Sequence, residues 1–150
     1  MIQRIQSVWL LLAAIFSAGV FMFNILNISY VDPATGAEVT KGVKLLEYSY
    51  IMAVLAIVVV ALPLVAIFMF KNRKRQVNMS LLAIVLNIGF IAFHLTFFKD
   101  SFLAKFNMPS QSTSYGIASF LPVAAIVFLA MAISGIRRDE KLVRAADRLR

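Results

Sequence analysis

Four stretches of this chain contain no Asp, Glu, Lys or Arg: residues 8–28, 48–70, 77–98 and 115–136. As helices rising about 1.5 Å per residue, each would be roughly 31 to 35 Å long, enough to cross a hydrocarbon layer of about 30 Å. A chain inside lipid must satisfy its own backbone N–H and C=O groups, so only helices and closed barrels span membranes. Barrel strands would read as alternating segments of about ten residues, whereas residues 53–61 are continuously apolar. The composition agrees: 61% of the chain is hydrophobic and 15% charged, against roughly 45–50% and 25% in soluble domains. The expected fold is an all-α membrane protein, a single domain built as an antiparallel bundle of four transmembrane helices. A short external β-hairpin and a cytoplasmic C-terminal amphipathic helix are expected to accompany it. Arg4 and the small residues Ser17, Ala18 and Gly19 resemble a cleavable signal, but the apolar run continues through Val20, Phe21, Met22 and Phe23, too long for one.

The basic residues orient the spans. Arg4 precedes the first; Lys71, Arg73, Lys74 and Arg75 separate the second from the third; Arg137, Arg138, Lys141, Arg144, Arg148 and Arg150 follow the fourth. Eleven of the 15 Lys and Arg therefore fall on one side, while Lys41, Lys44, Lys99 and Lys105 on the other are balanced by acids. By the positive-inside rule both termini are cytoplasmic, and that face carries the whole formal charge of +8.

The connections divide by length. Six residues, 71–76, permit only a tight turn between the second and third spans. Residues 29–47 contain Asp32-Pro33 and Gly36 between Tyr30, Val31 and Val39, which predicts the hairpin. In the other external loop, residues 102–106 are expected to lie in the membrane interface and the polar residues 109–114 to be flexible. Residues 137–150 read as a helix with a basic face that anchors on anionic headgroups or docks a protein partner. Deleting residues 139–150 is expected to leave folding intact.

Both ends of the chain resemble a known family. The opening Met1-Ile2-Gln3-Arg4-Ile5-Gln6, ahead of a Leu-rich span, and the closing Arg137-Arg138-Asp139-Glu140-Lys141-Leu142-Val143-Arg144-Ala145-Ala146-Asp147-Arg148-Leu149-Arg150 are similar to those of a domain-of-unknown-function family of four-span inner-membrane proteins of Bacteroidetes. The resemblance implies a bacterial inner-membrane location. It brings no activity and no functional residues.

Polar groups inside lipid mark sites or fasteners. Ser17 and Asn24, with Asn27 close by, form one stripe; Ser80, Asn87 and His94, seven apart, form another. Asn24, Asn27, Asn87 and His94 are the candidate intramembrane cluster, either hydrogen-bonding helices together or lining a cavity for a lipid, quinone or small solute. Pro63 and Pro122 are expected to kink their spans, Trp9, Tyr48, Tyr50 and Tyr115 to lie at the interface, and Ala130 with Ser134 to permit close helix approach. With no Cys and a single His, neither a thiol-based redox centre nor a four-ligand zinc site is expected, and no cofactor is. No phosphate-cradling Gly-rich loop occurs and no acid accompanies the His in its span, so catalysis is not expected. Basic residues without interleaved aromatics argue against nucleic acid. The expected function is that of a non-catalytic accessory or scaffold subunit working through its helix surface and basic end. The candidate contacts to lipid or partner, including self, are Lys71, Arg73, Lys74, Arg75, Arg137, Arg138, Lys141, Arg144 and Arg148.

Overall fold

A computed structural model of the chain describes residues 2–32, 36–98 and 110–147. Helix α1 (Ile2–Gly19) leads into strands β1 (Leu26–Val31) and β2 (Glu38–Val43). A single turn, α2 (Leu45–Tyr48), precedes α3 (Tyr50–Phe68), which is followed by α4 (Arg73–Phe93) and a π-helical turn (His94–Phe98). Strand β3 (Ser110–Tyr115), a 3-10 turn (Ile117–Ser119) and α5 (Leu121–Asp147) complete the order. Helices α1 and α4 each pack on both α3 and α5. The sheet covers one end. The other end, where α1 and α4 begin and α5 closes, carries most of the basic residues.

The bundle is built with its small side chains inward. Its middle layer is Leu10, Ala13, Ala66, Ala83, Leu129 and Ala132. The outer faces instead carry Ile5, Leu11 and Ile15 of α1, Val54, Ile57 and Val65 of α3, Leu82, Val85 and Ile88 of α4, and Val123 and Val127 of α5, all exposed. Water would expel such a surface. In lipid there is no hydrophobic gain from burying Leu or Ile, so helices associate where Ala and Ser let backbones approach. Three helical segments, Tyr50–Phe68, Arg73–Thr96 and Ile117–Val143, are long and apolar enough to cross a membrane.

The turn between α3 and α4 is tight, as its length requires. The Asn72 backbone N–H donates to the Met69 carbonyl at 2.9 Å, and its side chain caps α4 by accepting from the Arg75 N–H at 3.4 Å. Arg73, Lys74 and Arg75 then occupy the first turn of α4, where cations oppose the helix dipole by some tenths of a kcal/mol each. Helix stability is not why they are there.

Several expectations are corrected. The first apolar run does not stay helical to residue 28: α1 ends at Gly19, and Leu26–Val31 is a strand. Hydropathy alone could not separate the two, since the strand is also uncharged. The expected hairpin forms, with Leu26 opposite Val43 and Val31 opposite Glu38, and Gly36 adopts a φ of +65° in its turn. The polar run expected to be flexible supplies a third strand instead: β3 pairs antiparallel with β1 in the order β2-β1-β3, with a register slip at Ser29/Tyr30. The interfacial stretch 102–106 lies outside the described residues.

The basic tail is no separate helix, because α5 runs unbroken from Leu121 to Asp147. Pro122 is the second residue of α5 and needs no helical donor there, so it starts the helix rather than kinking it. Pro63 does lie within α3, buried. Trp9 stacks on Phe128 at 5.9 Å between α1 and α5, Tyr48 is buried and Tyr50 is exposed at the start of α3.

Candidate functional site

Two polar assemblies occupy opposite ends of the bundle. Beneath the sheet, His94 sits where α4 gives way to the π-helical turn, buried to 1% exposure. Its Nε2 lies 3.0 Å from Ser119 Oγ, which in turn lies 2.6 Å from the Ile25 carbonyl oxygen. The carbonyl can only accept, so the Ser119 hydroxyl proton is committed to it, and His94 Nε2–H donates to Ser119. This arrangement is the reverse of a histidine poised to activate a serine. The rings of Tyr48 and Tyr115 meet the imidazole edge-on at 5.4 and 5.8 Å. The assembly ties the end of α4, the turn before α5 and the segment between α1 and β1 together.

Asn24 and Asn27, expected within a span, belong to this sheet end instead. Asn27 lies in β1 opposite Gly42 and Ser114. Asn24 lies in the turn ahead of β1, and its carbonyl accepts the Ala118 N–H at 3.2 Å. Two glycines crowd it. A Cβ on Gly116 would stand 2.0 Å from the Asn24 backbone oxygen, and one on Gly42 would stand 2.0 Å from its side-chain nitrogen. Of the four candidate residues, Asn87 lies on α4 and His94 in the π-helical turn that follows it, about two turns on, while Asn27 lies in β1 and Asn24 in the turn ahead of it.

The stripe on α4 does face inward, since Ser80, Asn87 and His94 are all buried. Its hydrogen bonds are not the expected interhelical ones. Ser80 Oγ donates to the Gln76 carbonyl at 2.9 Å and Asn87 Nδ2 to the Ala83 carbonyl at 2.8 Å, each one turn back on its own helix. Only His94 reaches another element. Asn87 Oδ1 and Ser17 Oγ are buried with no hydrogen-bond partner among the described residues.

At the basic end a second fastener appears. Gln6 Nε2 of α1 donates to Asp139 Oδ2 of α5, and Arg73 Nη1 of α4 donates to the Asp139 backbone carbonyl at 3.3 Å. Gln6, Gln76 and Asp139 are all buried. Gly135 makes room for this: a Cβ there would come within 3.2 Å of Gln6 Cγ. Asp139 is thus packed among the helices, and deleting residues 139–150 would remove this fastener together with the tail.

With Asp139 turned inward, cations dominate the outside. Lys71, Lys74, Arg75, Arg137, Arg138 and Lys141 are exposed and Arg73 is half-buried. Arg148 and the Arg144 side chain lie outside the described residues. Two of the open grooves at this end are lined by three cations each. One, of about 550 Å³, mixes Lys71, Lys74 and Arg73 with Glu140. The other, of about 540 Å³ between α4 and α5, is lined by Arg137, Arg138 and Lys141 above an apolar wall.

Sequence reasoning missed Ser119, Gln6, Asp139 and Gly116 as fastening residues. Each acts through a partner remote in sequence, 133 residues away for Gln6 and Asp139 and 94 for Ser119 and Ile25. Among the described residues no group of three or more His, Cys, Asp or Glu could hold a metal ion.

No curated protein matches the chain. A protein family does: residues 2–149 match the one described as a domain of unknown function (DUF4293). With its two polar fasteners, its capping sheet and its basic end all inside the matched span, the chain belongs to that family.

Proposed function

We propose that the protein is a four-span protein of a bacterial inner membrane, acting as a non-catalytic accessory or scaffold subunit of a membrane complex. In this reading α1 is the fourth span: its 18 residues give about 27 Å of helix, within the range that crosses a bilayer. Its outward residues Ile5, Val8, Leu11 and Ile15 match the apolar faces of the other three long helices. The 11 basic residues of the α1 start, the α3–α4 turn and the tail face the cytoplasm with both termini, and the sheet stands outside.

One observation carries the functional part. Among the described residues, His94, Ser119, Gln6 and Asp139 are buried and engaged in holding elements together. What the molecule offers to others is surface: the apolar helix faces, the edges of the sheet and the cations of the basic end. Nucleic acid is the poorer fit, since Phe68 and Phe70 are the aromatics among the residues lining the grooves beside Lys71, Arg73 and Lys74, and neither is interleaved with the cations in sequence.

The experiment is purification from the native membrane in mild detergent, with the full chain beside one lacking residues 144–150. That truncation spares Asp139 and its bonds to Gln6 and Arg73. A complex of fixed stoichiometry is expected with the full chain, lost or weakened at least tenfold with the truncated one while its unfolding temperature is unchanged. A full chain that purifies without a stoichiometric partner, or a truncated chain that keeps the complex, would count against the reading.

A further inference from the structure

We infer that the groove between α4 and α5 at the basic end binds one anionic phospholipid, with its phosphate on Arg137, Arg138 and Lys141 and an acyl chain along the apolar wall below them. This rests on the membrane placement proposed above and adds a specific ligand site to it. Ile84 and Ile133 form the wall, and the exposed Ala130 and Ser134 hollow it because they have so little side chain. The three cations stand at one end of the groove, on the two turns of α5 beyond Ser134. In a bilayer the wall lies at hydrocarbon depth and the cations at headgroup depth, which is the layout of a phospholipid. Paired guanidinium groups suit phosphate oxygens, since each offers a planar fork of donors.

The charge around the groove is what singles it out. Among the described residues no carboxylate lines it. Of the acids in the basic stretch, Asp139 faces into the bundle toward Gln6 and Glu140 lines the other groove beside Lys71 and Lys74, while the Asp147 side chain lies outside the described residues. Among the described residues, a stretch that reads as mixed charge in the sequence therefore presents cations here. A second copy of the chain is a poorer occupant. Two copies in one membrane share an orientation, so a two-fold contact through this groove would bring both sets of three cations to the same depth, facing one another. An anionic lipid neutralises them.

The test uses purified protein in nanodiscs of phosphatidylcholine doped with phosphatidylglycerol, reading bound lipid by native mass spectrometry. The wild-type chain is expected to retain phosphatidylglycerol in preference to phosphatidylcholine. With Arg137→Gln, Arg138→Gln and Lys141→Gln combined, apparent affinity should fall roughly a hundredfold, at the usual contribution of a Lys or Arg near an anionic surface. Ala130→Trp fills the hollow with every charge in place and should also lose the lipid, whereas Lys71→Gln with Lys74→Gln in the other groove should keep it. All six positions are exposed, so the fold tolerates each change. Wild-type retention by the triple variant or by Ala130→Trp overturns the site, and equal loss from Lys71→Gln with Lys74→Gln reduces it to unspecific surface charge. No partner protein is present, so lost lipid with an intact complex, or the converse, separates this inference from the accessory-subunit reading.

Discussion

Gly116→Ala is expected to destabilise the folded protein by about 3 to 5 kcal/mol and to loosen the sheet from the bundle. The added Cβ would lie 2.0 Å from the backbone oxygen of Asn24 and 2.6 Å from its carbonyl carbon. Backbone atoms cannot rotate away as a side-chain tip can, so the two segments must separate. Their separation breaks the Gly116 N–H bond to the Ile25 carbonyl at 2.9 Å and the Ala118 N–H bond to the Asn24 carbonyl at 3.2 Å. Overpacking of this kind costs about 1 to 3 kcal/mol and each lost hydrogen bond about 1 kcal/mol. Denaturant unfolding in detergent measures the sum. Gly89→Ala is the matched control, because Gly89 lies in α4 with open space where its Cβ would go, and it should be neutral or stabilising by up to about 1 kcal/mol. Equal effects from the two substitutions would refute the close approach at Gly116.

The second large effect is expected at Asp139. Asp139→Ala leaves the Gln6 amide buried without its acceptor and should cost about 2 to 3 kcal/mol, the range for hydrogen bonds to a charged group. Gln6→Ala should cost at least as much, since the buried Asp139 carboxylate then loses its Gln6 donor while Arg73 reaches only the Asp139 backbone carbonyl. The double variant should cost less than the two singles added, by a coupling of about 1 to 3 kcal/mol. Additive costs would mean that α1 and α5 are not fastened through this pair.

The two ends differ in how far the sequence could be read. The long helices follow from uncharged runs, because lipid permits almost nothing else, and the α3–α4 turn follows from its length. The limit of α1 was hidden because Leu26–Val31 is as free of charge as the helix before it. Strand β3, Ser-Gln-Ser-Thr-Ser-Tyr, has no apolar alternation to announce it; it forms because β1 offers a second edge, and β1 itself is anchored by Leu26 in the core with Val43, Leu45 and Phe90. The basic residues were legible as a group and their roles were not. Asp139 sits between Arg138 and Lys141 in sequence and looks like part of the same surface, yet one residue along a helix turns the side chain by about 100°, enough to aim it into the bundle.

The central claim is that α1 crosses the membrane, so that the basic end and the start of the chain share one side and the sheet lies on the other. The chain has no Cys, so single cysteines can be placed one at a time at Gln3, Thr40, Asn72, Ser112 and Lys141 and probed in intact cells with a membrane-impermeant maleimide. Thr40 and Ser112 should label directly, and Gln3, Asn72 and Lys141 only after the membrane is opened. Direct labelling at Gln3 with Asn72 still protected would place the start of the chain on the sheet side and contradict the four-span account.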